Sequence, residues 1–533
     1  MIFLGFILTA VAGVLLRPLL PIDETRYLSV AWEMHLSGDY LVPHKNGAIY
    51  TDKPPMLFWL VNLAWMVTGV SELAARLVAP AFAAASIGLT GVLARRLWPD
   101  IEGVGARAMV VLAGTAVFAV LGGMTMFDSM LAVATLGGLL ALRPALERGR
   151  LAHWLLFGGA LAFGGLAKGP VILIHLLPPL VLCPLWLPAG ERQRPRAILG
   201  GAVVAVAFAV GVIGLWLVPA IRAGGPEYRD AILWTQSAGR VANSFAHSRP
   251  LWWFVALLPL LLFPWAWSPI VWRALPRLSL RDPGVRLCLI WAITPFVLFS
   301  VISGKQVHYL LPELPAVALL VARALPPGGA RARWELATVP VGALAVAAVA
   351  AGFGLLPSGD ASALLRPAPV LVAWGLLLAL FAWGAARIGG YRGLALLGLG
   401  LVLALNLLFG ATSARQVYDG SAIATRLRCF QDRGIAFVGT GYNAEFNFIG
   451  RLTQPLDELA DLSAVPGWAE AHPEGLIVAE VGRRAPDWPA RETARFGSED
   501  FGLWIVADRP GAAPGPGAVP TLDCEPPSSP RAQ

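Results

Sequence analysis

Long apolar stretches separated by short polar segments dominate the chain up to about residue 412. A helix of about 20 mostly apolar residues crosses a hydrocarbon core of ~30 Å. The first stretch lacks a basic segment before it and a convincing cleavage site, so we interpret it as a retained span. The pattern predicts an all-α polytopic membrane protein of about thirteen transmembrane helices, at residues 2–20, 73–94, 108–123, 126–142, 154–167, 169–187, 197–221, 251–272, 287–302, 309–325, 335–356, 368–386 and 393–412.

Two longer loops, residues 21–72 and 222–250, interrupt this series and are where function is expected. Within the first loop, TRYLSVAWEMHLSG places apolar residues at helical spacing and ends at Gly38, which predicts an amphipathic helix on the membrane surface. The stretch PPMLFWLVNLAWMVTGV, residues 54–70, is short for a span. It predicts a second interfacial or re-entrant helix.

Charged residues return after residue 412, and the segments IAFVG, GLIVAEV and FGLWIVAD have the pattern of short strands. We expect a small α/β or α+β soluble domain over residues 413–509 and a disordered tail over residues 510–533. Cys429 and Cys524 fall in this part and can pair if it lies outside the cytoplasm, whereas Cys183 and Cys288 lie in apolar runs.

The charge pattern indicates the orientation of the chain. Only 14% of its residues are charged, and the formal net charge is +8. The basic residues form short clusters in every second loop, which is typical of cytoplasmic loops and argues against nucleic-acid binding. This places the N-terminus in the cytoplasm, and it places the loops 21–72 and 222–250 and the C-terminal domain on the outer side of the membrane.

Lysine is rare: of 41 basic residues, four are lysines and the other 37 are arginines. A compact ammonium binds phosphate as a point charge, which suggests why lysine is used where arginine is this chain's usual cation. Each single lysine has another explanation: a lysine near the end of a span extends its long side chain to the membrane–water interface. All four fall on the predicted outer side, which favours an anion site: Lys45, Lys53, Lys168 and Lys305.

Carboxylates accompany these lysines at the predicted membrane edge. Asp23 and Glu24 follow the first span together with Arg26, Asp52 precedes Lys53, and Asp128 lies between two apolar runs. A carboxylate so close to hydrocarbon is costly unless it is paired or functional. Helix N-capping is the alternative for Asp128 and, less readily, for Asp23.

This combination suits chemistry on a lipid-linked phosphate. Lysine and arginine would hold the phosphate as a leaving group, and a carboxylate would take or orient the proton of the acceptor. Tyr309, in GKQVHYLLP, belongs to the same predicted site. His175 and His308 fit ordinary packing or interfacial positions.

The run DETRYLSVAWEMHLSGDYLVP, followed by YTDKPPMLFWLVNL, resembles the aminoarabinose transferases of lipid A modification and the wider protein O-mannosyltransferase-like group of GT-C glycosyltransferases. The likeness continues through MFDSM, LAKGP and GKQVHYLLP, and covers roughly residues 15–325. It implies a GT-C-like fold and an inverting glycosyltransferase of a bacterial inner membrane, with its active site and C-terminal domain on the periplasmic side. The donor would be a polyprenyl-phosphate sugar, and the acceptor lipid A, another glycan or lipid, or, less favoured, a protein hydroxyl.

The resemblance also implies residue roles. Asp23, with Glu24 beside it, would be the catalytic carboxylate and Asp128 the second acidic residue. Around the phosphate head group it implies the ligands Arg26, Lys53, Lys168 and Tyr309, to which we add Lys305 from its local sequence.

No cofactor is firmly implied by the family, although a divalent metal is possible. In the aminoarabinose transferases an acid before the Lys-Pro step and a histidine of the later long loop can hold a metal. Asp52 and His247 match these two positions, with Asp in place of the usual Glu.

Two other classes fit parts of the pattern. A lipid or lipid-linked-sugar transporter also has many spans and a few buried charges, but its charges should lie near mid-membrane. A structural or assembly protein with an outer binding domain leaves the lysine distribution unexplained.

Overall fold

The computed structural model describes residues 1–233, 248–326, 335–356, 364–482, 484–511 and 522. Most of the described chain is helical. In chain order the α-helices are α1 (Ile2–Leu16), α2 (Asp23–Ser37), α3 (Met56–Thr68), α4 (Glu72–Leu97), α5 (Val104–Ala113), α6 (Ala116–Gly122), α7 (Asp128–Arg148), α8 (Leu151–Lys168), α9 (Ile172–Val181), α10 (Cys183–Trp186), α11 (Pro195–Asp230), α12 (Trp253–Leu261), α13 (Pro269–Ala274), α14 (Pro283–Val301), α15 (Leu314–Ala324), α16 (Thr338–Gly352), α17 (Ala368–Ile388), α18 (Gly390–Ala411), α19 (Ser413–Val417), α20 (Ser421–Arg428), α21 (Asn447–Gly450) and α22 (Val465–Ala471).

Short strands and 3-10 helices complete the secondary structure. The strands are β1 (His44–Lys45), β2 (Ala48–Ile49), β3 (Ile435–Val438), β4 (Asp457–Leu459), β5 (Leu476–Glu480), β6 (Glu492–Phe496) and β7 (Glu499–Ile505). The 3-10 helices are Gly169–Val171, Trp265–Trp267, Leu275–Arg277, Val307–Glu313, Leu462–Ala464 and Val506–Asp508.

The chain divides into two compact units. The membrane unit consists of Met1–Leu16 and Thr51–Thr412, and the sheet unit consists of Arg17–Tyr50 and Ser413–Gln533. The loop predicted over residues 21–72 is thus shared between the two units. His247, Cys524, most of the predicted tail and residues 234–247 of the second loop lie outside the described residues.

The membrane unit has fewer uninterrupted spans than the sequence pattern predicts. Among the described residues, 8 helices are long and apolar enough to cross a membrane, or up to 9 if the bent pair α5 and α6 is one span. The count of thirteen is therefore not confirmed. Three apolar helices are shorter, and they are α1, α3 and α16.

Two predicted span assignments differ from the structure. Residues 151–181 form one candidate span in two parts, where two spans were expected: α8 ends at Lys168, and a 3-10 turn at Gly169–Val171 connects it to α9. The predicted span 251–272 is instead broken into α12, a 3-10 helix and α13. Pro264 and Pro269 explain that break, since proline cannot donate the backbone hydrogen bond that continues a helix.

Apolar side chains cover the outside of the membrane unit. On α11, Leu199 is 66% exposed, Val210 63% and Leu215 79%. A contiguous apolar surface of this kind is unfavourable in water but favourable in lipid. The chain is therefore a multi-pass membrane protein.

The sheet unit contains a mixed five-stranded sheet in the order β4-β3-β5-β7-β6. The strand β3 pairs parallel with β4 and β5, whereas β7 pairs antiparallel with β5 and β6. The three predicted strand segments correspond to β3, β5 and β7, so the small C-terminal sheet domain is confirmed. Cys429 in this unit is disulfide-bonded, while Cys183 and Cys288 are free thiols.

The first predicted amphipathic helix also belongs to the sheet unit. It is α2, and it ends at Gly38, whose φ of 67° gives the left-handed cap that glycine accommodates without strain. A short hairpin of β1 and β2 follows it.

Candidate active site

A helical hairpin explains why Asp128 and Lys168 meet although they lie 40 positions apart in the chain. Asp128 is the first residue of α7 and Lys168 the last residue of α8. The two helices run in opposite directions, joined through Gly149, whose φ is 62°. The carboxylate therefore lies at a positive helix end and the ammonium at a negative one, an arrangement that the helix dipoles stabilise.

The Asp128–Lys168 pair is the centre of a buried cluster in the membrane unit. Lys168 Nζ lies 2.5 Å from Asp128 Oδ1, and the two side chains are 10% and 2% exposed. The same ammonium lies 4.9 Å from the centre of the Tyr309 ring, a cation–π contact. His308 Nε2 is 4.0 Å from Asp128 Oδ2, and the charge of Lys53 adds to the positive potential at Asp128.

The capping alternative for Asp128 does not match this geometry. Phe127 is the N-cap residue of α7, and no side chain caps that end. Asp128 instead accepts a hydrogen bond from Lys168, so its carboxylate holds a cation rather than a helix terminus.

A second acidic cluster lies at the start of α2, in the sheet unit. Arg26 Nη2 donates to Asp23 Oδ1 over 2.6 Å, and the Asp23 side chain is 37% exposed. The Tyr27 hydroxyl also hydrogen-bonds Asp23. As with Asp128, no side chain caps the helix, whose N-cap residue is Ile22.

Arg26 and Tyr27 keep their protons next to Asp23. Burial lowers the pKa of Arg26, but Tyr50, Tyr27 and Asp23 together raise it above its ordinary value. Burial is also the main reason why the pKa of Tyr27 lies well above its ordinary value, and Asp23 raises it further. Asp23 is thus an accessible carboxylate flanked by a permanent cation and a neutral hydroxyl.

Glu24 has a different environment from its neighbour Asp23. Its side chain is only 2% exposed, and Oε2 lies 3.8 Å from Arg17 Nη1. The same oxygen accepts the backbone N–H of Leu20 over 3.2 Å. These contacts fix the entry into α2, so the structure distinguishes two carboxylates that the sequence groups together.

Lys305 binds backbone oxygens in this structure. Its ammonium donates to the carbonyl oxygens of Ile302 over 2.5 Å, Arg249 over 3.0 Å and Ser303 over 3.4 Å. An ammonium has three hydrogens. The ligand role predicted for Lys305 therefore requires that it exchange these carbonyl contacts for the ligand's oxygens.

The predicted metal pair receives no support from the described geometry. Asp52 is described, but its predicted partner His247 is not. Across the described ranges, no group of three or more His, Cys, Asp or Glu side chains is arranged to hold a metal ion. We assign no step of the chemistry to a metal.

Two histidines that the sequence suggested were packing residues have carboxylate neighbours. His308 faces Asp128, and His175 Nδ1 lies 2.5 Å from Glu313 Oε1 with both side chains buried. Sequence reasoning did not single out Glu313. Its signal was a lone carboxylate inside the predicted span 309–325, since an ionisable residue within a span usually has a partner or a function.

The fold and these clusters define a class: a polytopic membrane protein with the GT-C glycosyltransferase fold. The crystal structure of ArnT from Cupriavidus metallidurans bound to undecaprenyl phosphate superimposes with a TM-score of 0.74. It covers 96% of this chain and 98% of that one, at 19% identity. The likeness at this identity shows the shared fold.

Sequence comparison finds the same relatives. Residues 52–216 match the family model described as dolichyl-phosphate-mannose-protein mannosyltransferase. An undecaprenyl phosphate-alpha-4-amino-4-deoxy-L-arabinose arabinosyl transferase from Pseudomonas paraeruginosa is 34% identical over 313 residues, which is 57% of this chain and 55% of that protein. An enzyme of the same description from Pectobacterium carotovorum is 29% identical over 427 residues, 77% and 74% of the two chains.

The chain thus spans about half the length of the Pseudomonas relative that it matches. It is similar to the aminoarabinose transferases and, over residues 52–216, to the protein mannosyltransferase family model, so the resemblance in its motifs is confirmed.

Proposed function

We propose that this protein is an inverting glycosyltransferase that transfers a sugar from a polyprenyl-phosphate donor to a lipid or glycan acceptor. The observation that carries the proposal is the buried cluster at the N-terminal end of α7 and the C-terminal end of α8. There Lys168 lies against Asp128 and Tyr309, and Lys53 adds positive charge. A cationic site beside hydrocarbon suits a phosphate that carries a lipid chain.

We assign phosphate binding to Lys53, Lys168 and Tyr309. Arg26, which the resemblance places among these ligands, donates to Asp23 in the structure, and we propose that it holds that carboxylate instead. Lysine ammonium groups attract the phosphate oxygens and stabilise the charge that develops on them as the sugar leaves. Asp128 orients Lys168 through their ion pair. When Lys305 takes part, it has to give up its carbonyl contacts for a ligand.

Asp23 is proposed as the catalytic base. The acceptor hydroxyl oxygen forms a bond to the anomeric carbon while the bond from that carbon to the phosphate oxygen breaks. The electron pair leaves with the polyprenyl phosphate, the acceptor proton passes to the Asp23 carboxylate, and the anomeric configuration inverts. The exposure of Asp23 supports this role, and the burial of Glu24 supports a positioning role for that residue.

The choice of donor and acceptor follows the relatives. The curated relatives are described as using undecaprenyl phosphate-alpha-4-amino-4-deoxy-L-arabinose, and we propose a donor of this lipid class. Their descriptions name no acceptor. We propose lipid A or another outer lipid or glycan, as in the lipid A-modifying aminoarabinose transferases that the motifs resemble.

The site is proposed to face the periplasm from a bacterial inner membrane. The arginine clusters in every second predicted loop support this orientation through the positive-inside rule. A cysteine-accessibility map of single cysteines introduced at Asp39 and Arg281 would test it. Labelling of the first position and protection of the second in intact spheroplasts are expected, and the reverse would refute the orientation.

The function is tested with purified protein in bilayer nanodiscs. Polyprenyl-phosphate sugars of several kinds are supplied together with an outer-membrane lipid extract, and released polyprenyl phosphate is measured. Release that depends on the extract is expected. If no donor is consumed while the protein moves labelled lipid between the leaflets of vesicles, the transferase proposal fails and a flippase takes its place; the comparisons do not favour that alternative.

A further inference from the structure

The helix that begins with Asp23 is attached to the C-terminal sheet domain by buried hydrogen bonds. Ser29, in the middle of α2, is fully buried. Its hydroxyl donates to the carbonyl oxygen of Ala444 over 2.6 Å and accepts the backbone N–H of Phe448 over 3.1 Å. The first of these bonds joins residues 415 positions apart in the chain. Ser29 therefore ties α2 to the segment around α21.

Trp32 makes a second attachment almost one helical turn further along α2. Its indole N–H donates to the carbonyl oxygen of Leu452 over 2.7 Å, and the side chain is 8% exposed. The Arg451 guanidinium lies 5.6 Å from the Trp32 ring and 3.8 Å from the Phe448 ring. One side of α2 is thus held by both hydrogen bonds and aromatic contacts.

Asn46, at the tip of the β1–β2 hairpin, makes a third attachment. Its side-chain amide donates to the carbonyl oxygen of Leu456 over 2.9 Å and accepts the N–H of Leu456 over 2.8 Å. Glu33 of α2 in turn accepts the N–H groups of Asn46 over 2.5 Å and Gly47 over 2.9 Å. The hairpin therefore links the far half of α2 to the sheet domain.

The segments that make these attachments also contain residues with positive φ. Within the part of the chain that the structure describes, three non-glycine residues have positive φ: Asn46 at 52°, Ala444 at 58° and Arg451 at 52°. All three lie where residues 17–50 meet residues 442–456. Strained backbone of this kind persists only where the surrounding contacts over-determine it, and it clusters at functional sites. The positive φ angles thus coincide with the three attachments.

We propose that the C-terminal sheet domain holds α2 so that its acidic end has a fixed position and direction. Ser29, Trp32 and Asn46 are positioning residues that act on Asp23 through the helix. This inference rests on the proposed role of Asp23. An α-helix transmits a shift along its axis because its backbone bonds are made within the helix. A base displaced by about 1 Å loses roughly 100-fold in rate.

The proposal predicts a specific kinetic signature. The phosphate ligands Lys53, Lys168 and Tyr309 belong to the membrane unit, whereas the three positioning residues belong to the sheet unit. Loss of an attachment should therefore lower kcat by about tenfold or more, while KM for the donor changes by less than about twofold. General destabilisation does not produce this split.

The test uses full-length Ser29→Ala, Trp32→Phe, Asn46→Ala and Asn46→Gly in nanodiscs. Trp32→Phe keeps a ring but lacks the donor. Asn46→Gly relieves the strain at positive φ and still removes the side-chain bonds, so it should behave like Asn46→Ala. Thr425→Ala is the matched control, because Thr425 donates its hydroxyl to the Ser421 carbonyl within α20 and is exposed.

Two readouts are taken for each variant: kcat and KM for a polyprenyl-phosphate sugar, and hydrogen–deuterium exchange of residues 23–37. We expect lower kcat at unchanged KM and exchange in α2 faster by about tenfold, with the control like wild type. Unchanged exchange in α2, or a fall in kcat only in proportion to lost folded protein, overturns the proposal. Wild-type protein that consumes no donor overturns the proposed function instead, and the exchange data still show whether the domain holds α2.

Discussion

Asp23 and Asp128 are both the first residue of a helix, and both are paired with a cation, yet their environments differ. The Asp128 side chain is 2% exposed and lies 2.5 Å from Lys168. The Asp23 side chain is 37% exposed and lies 2.6 Å from Arg26. A buried carboxylate in an ion pair holds its cation in place, whereas a more exposed carboxylate remains accessible to a reactant. The same residue at the same helix position thus suits two different tasks.

The largest expected effect follows removal of the charge at Asp23. Asp23→Asn should lower kcat by about 100- to 10,000-fold, because the variant cannot accept the acceptor's proton. The fold should survive, since the pair is only partly buried, with Asp23 37% and Arg26 18% exposed, and its loss costs about 1–3 kcal/mol. Release of polyprenyl phosphate measures the first effect and thermal unfolding the second. Activity of the variant close to that of wild type would remove Asp23 from the chemistry.

Asp128→Asn should instead act mainly on stability. The change leaves Lys168 buried without its counter-charge, next to His308 and Lys53, which costs about 3–5 kcal/mol of unfolding free energy. The double variant Asp128→Asn, Lys168→Met should recover part of that loss. Thermal unfolding in detergent checks both. A single variant as stable as wild type would show that the pair does not hold the cluster together.

The Tyr309 ring tests the cation–π contact with Lys168. Tyr309→Phe keeps the ring, so KM for the donor should stay within about twofold of wild type, whereas Tyr309→Leu should raise it by about 2- to 30-fold. Steady-state kinetics with a polyprenyl-phosphate sugar provide the measurement. Equal effects of both variants would point to the hydroxyl instead.

Glu24→Gln separates the two adjacent carboxylates at the start of α2. Glutamine retains an oxygen for the Leu20 N–H but lacks the charge opposite the largely buried Arg17, 3.8 Å away, so the unfolding free energy should fall by about 1.5–3 kcal/mol and kcat by only a few fold. If this variant lost as much activity as Asp23→Asn, the assignment of base and positioning residue would be reversed.

The smallest expected effect is on the melting temperature at alkaline pH, and it concerns Tyr27. Because its folded-state pKa is raised, Tyr27 holds its proton more tightly in the folded protein than in the unfolded chain. Its contribution to stability is full below about pH 10, the value in the unfolded chain, and is lost as the pH rises above that. Tyr27→Phe should show a smaller fall in melting temperature between pH 9 and pH 11. An identical fall would mean that Tyr27 does not titrate as inferred.

Sequence pattern was sufficient where local chemistry decides the structure. The hairpin of α7 and α8 follows from two apolar runs with a short polar turn, and it brings Asp128 and Lys168 together. The helix α2 and the strands β3, β5 and β7 were predictable for the same reason, since periodicity and a terminal glycine are local signals.

The features that the sequence did not predict depend on tertiary contacts. The attachment of Ser29 to Ala444 and the pairing of His175 with Glu313 join residues 415 and 138 positions apart, and no local pattern encodes them. The difference between Asp23 and Glu24 depends on which way each side chain faces the fold. The span count is not confirmed, because apolar runs do not reveal whether two helical segments belong to one span, as α8 and α9 do on either side of Gly169, or whether a span is broken, as near Pro264.

The central claim is that one cluster binds the lipid phosphate and the other performs the chemistry. Binding of undecaprenyl phosphate to nanodisc-embedded wild type, Lys53→Met and Asp23→Asn tests it in one measurement. The account predicts that Asp23→Asn binds within about twofold of wild type and that Lys53→Met binds about tenfold or more weakly, because a charged phosphate contact is lost. Weakened binding by Asp23→Asn together with unchanged binding by Lys53→Met would contradict it.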